Sequence, residues 1–186
     1  NFPNMAQCPS YGCSDLVDYD PGNACATYKG GANQILFIKC SSTIDDASTG
    51  SEINAAIASG DAILIENIKL NWDEPSAVTV DPLVGCLSET VAAYDHSIVM
   101  IDRNVTAETI DWYNSANAST GFTFGAAMIW ECDAQRVTYI DVPLQLQGGR
   151  VFPDQNNALQ NHSMQLTFRS TKGAMPIIAT PTDVFD

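Results

Sequence analysis

Cations are scarce in this chain: eight Lys and Arg stand against twenty-two Asp and Glu in 186 residues, a formal net charge of −14. Gripping nucleic acid through its phosphates needs clustered Lys and Arg, so that task is excluded as a main one. Long apolar runs are missing too. The longest, such as Ile35-Leu36-Phe37-Ile38 and Ala62-Ile63-Leu64-Ile65, are of strand length and too short for a membrane-spanning helix. Phosphate loops, nucleophile elbows, EF-hand loops and C-x2-C zinc knuckles are all absent. Histidine occurs only at His96 and His162. Asp95 and His96 are adjacent, but neighbours on a strand point to opposite faces and cannot form a relay. Asp45-Asp46 and Asp73-Glu74 read as solvated loop acids, without the oxygen-ligand spacing of a calcium loop. The expectation is a protein that is not an enzyme, with no catalytic residue, metal or cofactor.

What the chain has is apolar content, cysteine and strand pattern. Hydrophobic residues make up 45% and mean hydropathy is −0.04, enough for a packed core and too apolar for disorder. Six cysteines are unevenly placed: Cys8, Cys13, Cys25 and Cys40 near the start, Cys86 and Cys132 later. All six are disulfide candidates, with pairing that spacing does not give; buried free thiols are the second reading and a metal site a distant third. A start at Asn1 in place of Met fits a processed or trimmed form, with Met5-Ala6 as another possible start.

Residues 1–32 are expected to be loop-rich, because Pro3, Pro9, Gly12, Pro21, Gly22, Gly30 and Gly31 interrupt any regular element. Residues 33–174 form the predicted domain and 175–186 an extended tail. A strand over 33–39 carries a continuous apolar run, which predicts burial on both faces. A short helix follows, with Ser51 as N-cap and Gly60 as terminator. Residues 62–72 alternate as a long strand, with Ile63 and Ile65 on one side and Ile68, Leu70 and Trp72 on the other. Pro75 and Pro82 bracket a brief exposed segment. A strand over 86–103 precedes the best helix, with Thr106 as N-cap and Gly121 beyond its end. Strands return at 122–132, 136–142, 144–152 and 163–169, where Gly148-Gly149 predicts a bulge or bend. The fold class is α+β, mainly β: an antiparallel β-sandwich or barrel with one main helix and a loop-rich, cysteine-containing amino-terminal segment. The apolar tail must dock on its own domain or on a neighbour. Ile63, Ile65 and Trp72 on the strand, with Ile177 and Phe185 in the tail, are the expected intersubunit contacts.

Residues 25–185 carry a resemblance. Its parts are Cys25 with Gly30-Gly31 and Asn33 to Ile38, then Ile101-Asp102-Arg103, the helix from Thr106, Gly121-Phe122-Thr123-Phe124-Gly125, and Gln165 to Ser170. Together they resemble tail-tube-like virion proteins of tailed bacteriophages, of the kind found in phages and prophages of Bacteroidota. The resemblance implies β-sandwich or barrel subunits joined into rings, usually hexameric, and stacked into a hollow tube within the virion. Its partners would be copies of itself and other virion proteins, with DNA only passing through and no membrane. An acidic lumen would repel phosphate and let DNA slide. The alternatives are a capsid decoration or head-tail joining protein, or a disulfide-stabilised extracellular appendage or binding module.

Overall fold

The apolar run Ile35 to Ile38 has no polar side because it lies mid-sheet with cover on both faces: Ile35, Leu36 and Phe37 are fully buried. In a computed structural model the described residues are 32–42, 44, 49–80, 90–118, 121–131, 136–152, 160–179 and 181. The elements are β1 (Ala32–Ile38), α1 (Gly50–Ser59), β2 (Ala62–Trp72), β3 (Ser76–Val80), β4 (Thr90–Asp102), α2 (Ala107–Asn117), β5 (Ala126–Glu131), β6 (Arg136–Ile140), β7 (Gln145–Val151), β8 (Asn161–Ser170) and β9 (Ile177–Ala179). The strands make one nine-stranded sheet in the order β7-β8-β4-β2-β1-β5-β6-β9, with β3 also paired to β4. The class is α+β and mainly β, with two helices of similar length among the described residues where one main helix was expected.

The sheet is open in its strand order, yet Phe124, just before β5, bridges Leu144, just before β7. Those strands stand sixth and first in the sheet. The bridge therefore requires the sheet to curl part of the way towards a barrel. Its inner face gathers Phe37, Leu70, Ile98, Leu146 and Leu166 around Tyr113 and Ala116 of α2. On the opposite face, Leu36, Ala62, Met128 and Trp130 receive Ile53 and Ala56 of α1. Each fully buried Leu, Ile or Phe contributes about 1.5–3 kcal/mol relative to exposure.

Thr49, not Ser51, is the N-cap of α1, and it makes no side-chain cap bond; Gly60 ends the helix at φ 77, as expected. Strict alternation through β2 also fails. Asn67 adopts φ 58, and the inner face runs Ile63, Ile65, Ile68, Leu70, Trp72, skipping one residue at that point. A bulge of this kind transfers all later side chains to the other face. Asn is one of the few residues that tolerates that conformation. Helix α2 starts as expected, with Thr106 and Thr109 capping each other reciprocally. The Gly148-Gly149 step leaves the β7–β8 register regular.

Candidate functional site

β2 and β3 form one antiparallel strand against β4, interrupted at 73–75, with Trp72 opposite Ile98 and Ser76 opposite Asp95. Pro75 lacks an N–H for the ladder and marks the break. On its other side, β4 is covered by β8 only from Tyr94 to Asp102. Beyond Tyr94 the ribbon is therefore two strands wide among the described residues. It is an arm built from Val78, Thr79, Val80 and Val91, the β-branched residues that favour a pleated ribbon. Val80 is 51% and Val91 49% exposed. An isolated two-stranded ribbon is marginal in water, and exposed edges invite a further chain. The stretch from Asp73 to Asp102 contains Asp73, Glu74, Asp81, Glu89, Asp95 and Asp102 but no Lys or Arg.

The two ends of the sheet differ. At the start of β7 the outward N–H groups are already occupied. Leu144 N–H donates to Phe124 O at 3.0 Å, Leu146 N–H to Thr123 Oγ1 at 3.1 Å, and Gly148 N–H to Asn117 Oδ1 at 2.9 Å. Asn117 Nδ2 returns a bond to Gly148 O at 2.8 Å. At the other end, β9 pairs with β6 alone among the described residues, and Tyr139 N–H donates to Pro176 O at 3.0 Å.

A polar knot lies under the amino-terminal end of α2. Asp102 is 4% exposed; its Oδ2 accepts from Tyr113 OH at 2.8 Å and its Oδ1 from Asn104 N–H at 2.7 Å. His162, opposite Asp102 across β4–β8, places Nε2 3.3 Å from Thr109 Oγ1. Burial and the Asp102 carboxylate push the Tyr113 phenol well above its ordinary range. Burial holds the His162 imidazole below its ordinary value, opposed in part by Asp102 and reinforced by Arg150. A cleft of about 470 Å³ adjoins the knot, with Ile63, Ile65, Glu108 and Trp112 in its walls. Chemically the knot satisfies a buried carboxylate and fastens α2 to β4. Among the described residues, no group of three or more His, Cys, Asp or Glu is placed to hold a metal ion.

Asp95 and His96 do not converge. Asp95 is exposed and takes two bonds from Arg169, at 2.6 and 2.9 Å, which hold its carboxyl below the usual carboxylate range. His96 is buried at 2% exposure, stacked on Phe168 at 4.6 Å, with Nε2 2.9 Å from Lys172 O. A carbonyl only accepts, so Nε2 carries a proton, and Nδ1 is buried with no hydrogen-bond partner among the described residues.

Of the expected contact residues, Ile63, Ile65 and Trp72 lie half-buried against the inner core of their own chain. Ile177 stands in β9 opposite Thr138, so that part of the tail docks on its own sheet. Phe185 lies outside the described residues, as do Cys8, Cys13, Cys25, Cys86 and Cys132. Cys40 is exposed, with a free thiol. Pattern marks the brief segment after Pro75 as exposed but does not single out Val80 and Val91. A run of Val-Thr-Val with no buried face was the available signal. No described helix is long and apolar enough to cross a membrane. No family model matches the chain, and no curated protein matches it.

Proposed function

We propose that the chain is a structural subunit that self-assembles into rings or a hollow tube, of the tail-tube type found in phage virions. The observation that carries this reading is the β3–β4 arm, two strands wide among the described residues, with Val80 and Val91 exposed beyond the edge of β8. Such a ribbon gains most of its stability from a neighbour. The mainly antiparallel sheet accords with the architecture expected of a tube subunit. The excess of twenty-two carboxylates over eight cations suits a lumen through which DNA passes without adhering.

The test is electron microscopy and sedimentation of the purified full chain over a wide concentration range. Rings or stacked tubes are expected. Trimers, or copies found only on a capsid, would favour a decoration role, and a monomer at every concentration would overturn self-assembly.

A further inference from the structure

We infer that the cleft between β2 and α2 receives an extended, basic segment of a different protein, added as a strand along the edge of β2. The inference goes beyond the assembly reading and does not depend on it.

The edge comes first. β1 pairs with β2 from Ala62 to Leu70, but β4 pairs with it only from Lys69 to Trp72 and ends at Asp102, where the chain turns off towards α2. A notch in the middle of the sheet results, and an open cleft of about 470 Å³ fills it. Ile63, Leu64, Ile65, Glu66 and Asn67 border that cleft in succession. Yet Ile63 and Ile65 pack on the inner core and Leu64 on the outer one, as alternation in a strand requires. Neighbours with opposed side chains share one cleft because the edge of the strand, not a face, is its wall.

The backbone phase agrees. Lys39 N–H donates to Asp61 O at 2.9 Å, so the two-residue period turns the backbone groups of Ile63 and Ile65 towards β1. Those of Leu64 and Glu66 then point into the cleft. The left-handed Asn67 ends this stretch before β4 takes over at Lys69. Backbone groups presented in this way pair readily with an extended peptide.

Charge selects the occupant. Glu66 and Glu108 border the cleft and are exposed. Their bonds come from neutral donors: Gln34 Nε2 at 3.0 Å for Glu66, and the Glu108 N–H and Thr106 for Glu108. Asp102 is buried and satisfied, so it adds little. No Lys or Arg borders the cleft among the described residues. Ile63, Ile65 and Trp112 offer apolar cover for the stem of a Lys or Arg, whose head then meets the two carboxylates. A second copy is a poor source of such a segment. Its closest pair of cations, Arg169 and Lys172, is held by Asp95 and Asp141.

The test titrates the full chain by calorimetry with the capped heptapeptide Thr-Val-Lys-Val-Lys-Val-Thr, and with the same peptide carrying Glu for Lys. Deuterium uptake over residues 62–68 is followed with and without peptide. The lysine peptide is expected to bind and to slow that uptake, and the glutamate peptide to do neither. Glu66→Gln with Glu108→Gln should weaken binding by about tenfold. Both side chains are exposed, so an unchanged unfolding midpoint verifies that the variant folds. A lysine peptide that does not bind, equal binding of the two peptides, equal binding by the variant, or unchanged uptake at 62–68 overturns the inference. Uptake there that falls with rising chain concentration and no peptide also overturns it, because the occupant is then a second copy. The formation of rings or tubes is read separately and is untouched by these outcomes.

Discussion

Asn117 and Gly148 hold each other by two hydrogen bonds: the Asn117 amide donates to Gly148 O at 2.8 Å and accepts from Gly148 N–H at 2.9 Å. A side chain at the end of α2 thus takes the place of a neighbouring strand on β7. Asn117→Ala should lower stability by about 1–2 kcal/mol through the two lost bonds. It should also free the β7 edge, read as increased light scattering at high concentration. Asn117→Asp keeps the acceptor and loses the donor, so its denaturation midpoint should fall between the two.

Gly148 itself is fixed by space. Its φ is 152, and a Cβ there would collide with Ser163 O and lie 2.7 Å from Met164 Cα. Both are backbone atoms in a paired strand and cannot swing aside. Gly148→Ala should cost about 1–3 kcal/mol, whereas Gly149→Ala, with nothing within 4 Å, should be nearly neutral. Equal effects in urea denaturation would contradict this.

Tyr113→Phe removes one of the two donors that the described residues give the buried Asp102. A carboxylate left short of a partner costs about 1–3 kcal/mol. Tyr113→Phe combined with Asp102→Asn should recover part of that loss, because the charge is then gone. A double-mutant cycle on thermal unfolding measures the coupling.

His162 sets an acid limit. Its folded value lies below the ordinary 6.5, because burial disfavours the charged ring. The unfolded chain then binds the proton first, so stability falls as pH drops from about 6.5 towards the folded value. His162→Gln should remove that part of the slope. Asp95 acts in a separate window: its lowered value means that its contribution, present above the ordinary 3.8, is lost as pH falls further. Denaturant midpoints between neutral and acid pH separate the two.

Val80→Asp with Val91→Asp tests the arm. Both residues are about half exposed but lie in paired strands, where Asp is a poor former, so the double change should cost the monomer about 1–2 kcal/mol with the rest of the sheet still folded. Assembly seen by sedimentation should be lost. Unchanged assembly would remove the arm from the interface.

Sequence alone determined where most elements lie, because period and punctuation are local. The run at Ile35 to Ile38 announced a strand covered on both faces, and Thr106 announced the start of α2. Gly60 announced the end of α1. The strand-rich class followed from these, and the scarcity of cations was legible at once. Only the tertiary structure decided how faces and edges are used. Asn67 reads as an ordinary polar position until its left-handed backbone redirects Ile68, Leu70 and Trp72 to the same core as Ile63 and Ile65. Nothing local marks Asn117 as the partner of Gly148, since the two meet 31 residues apart. Val80 and Val91 are strand formers whose exposure follows from where β8 stops. Side-chain period fixes which residues alternate, but the neighbours that bury a face or close an edge come from distant parts of the chain.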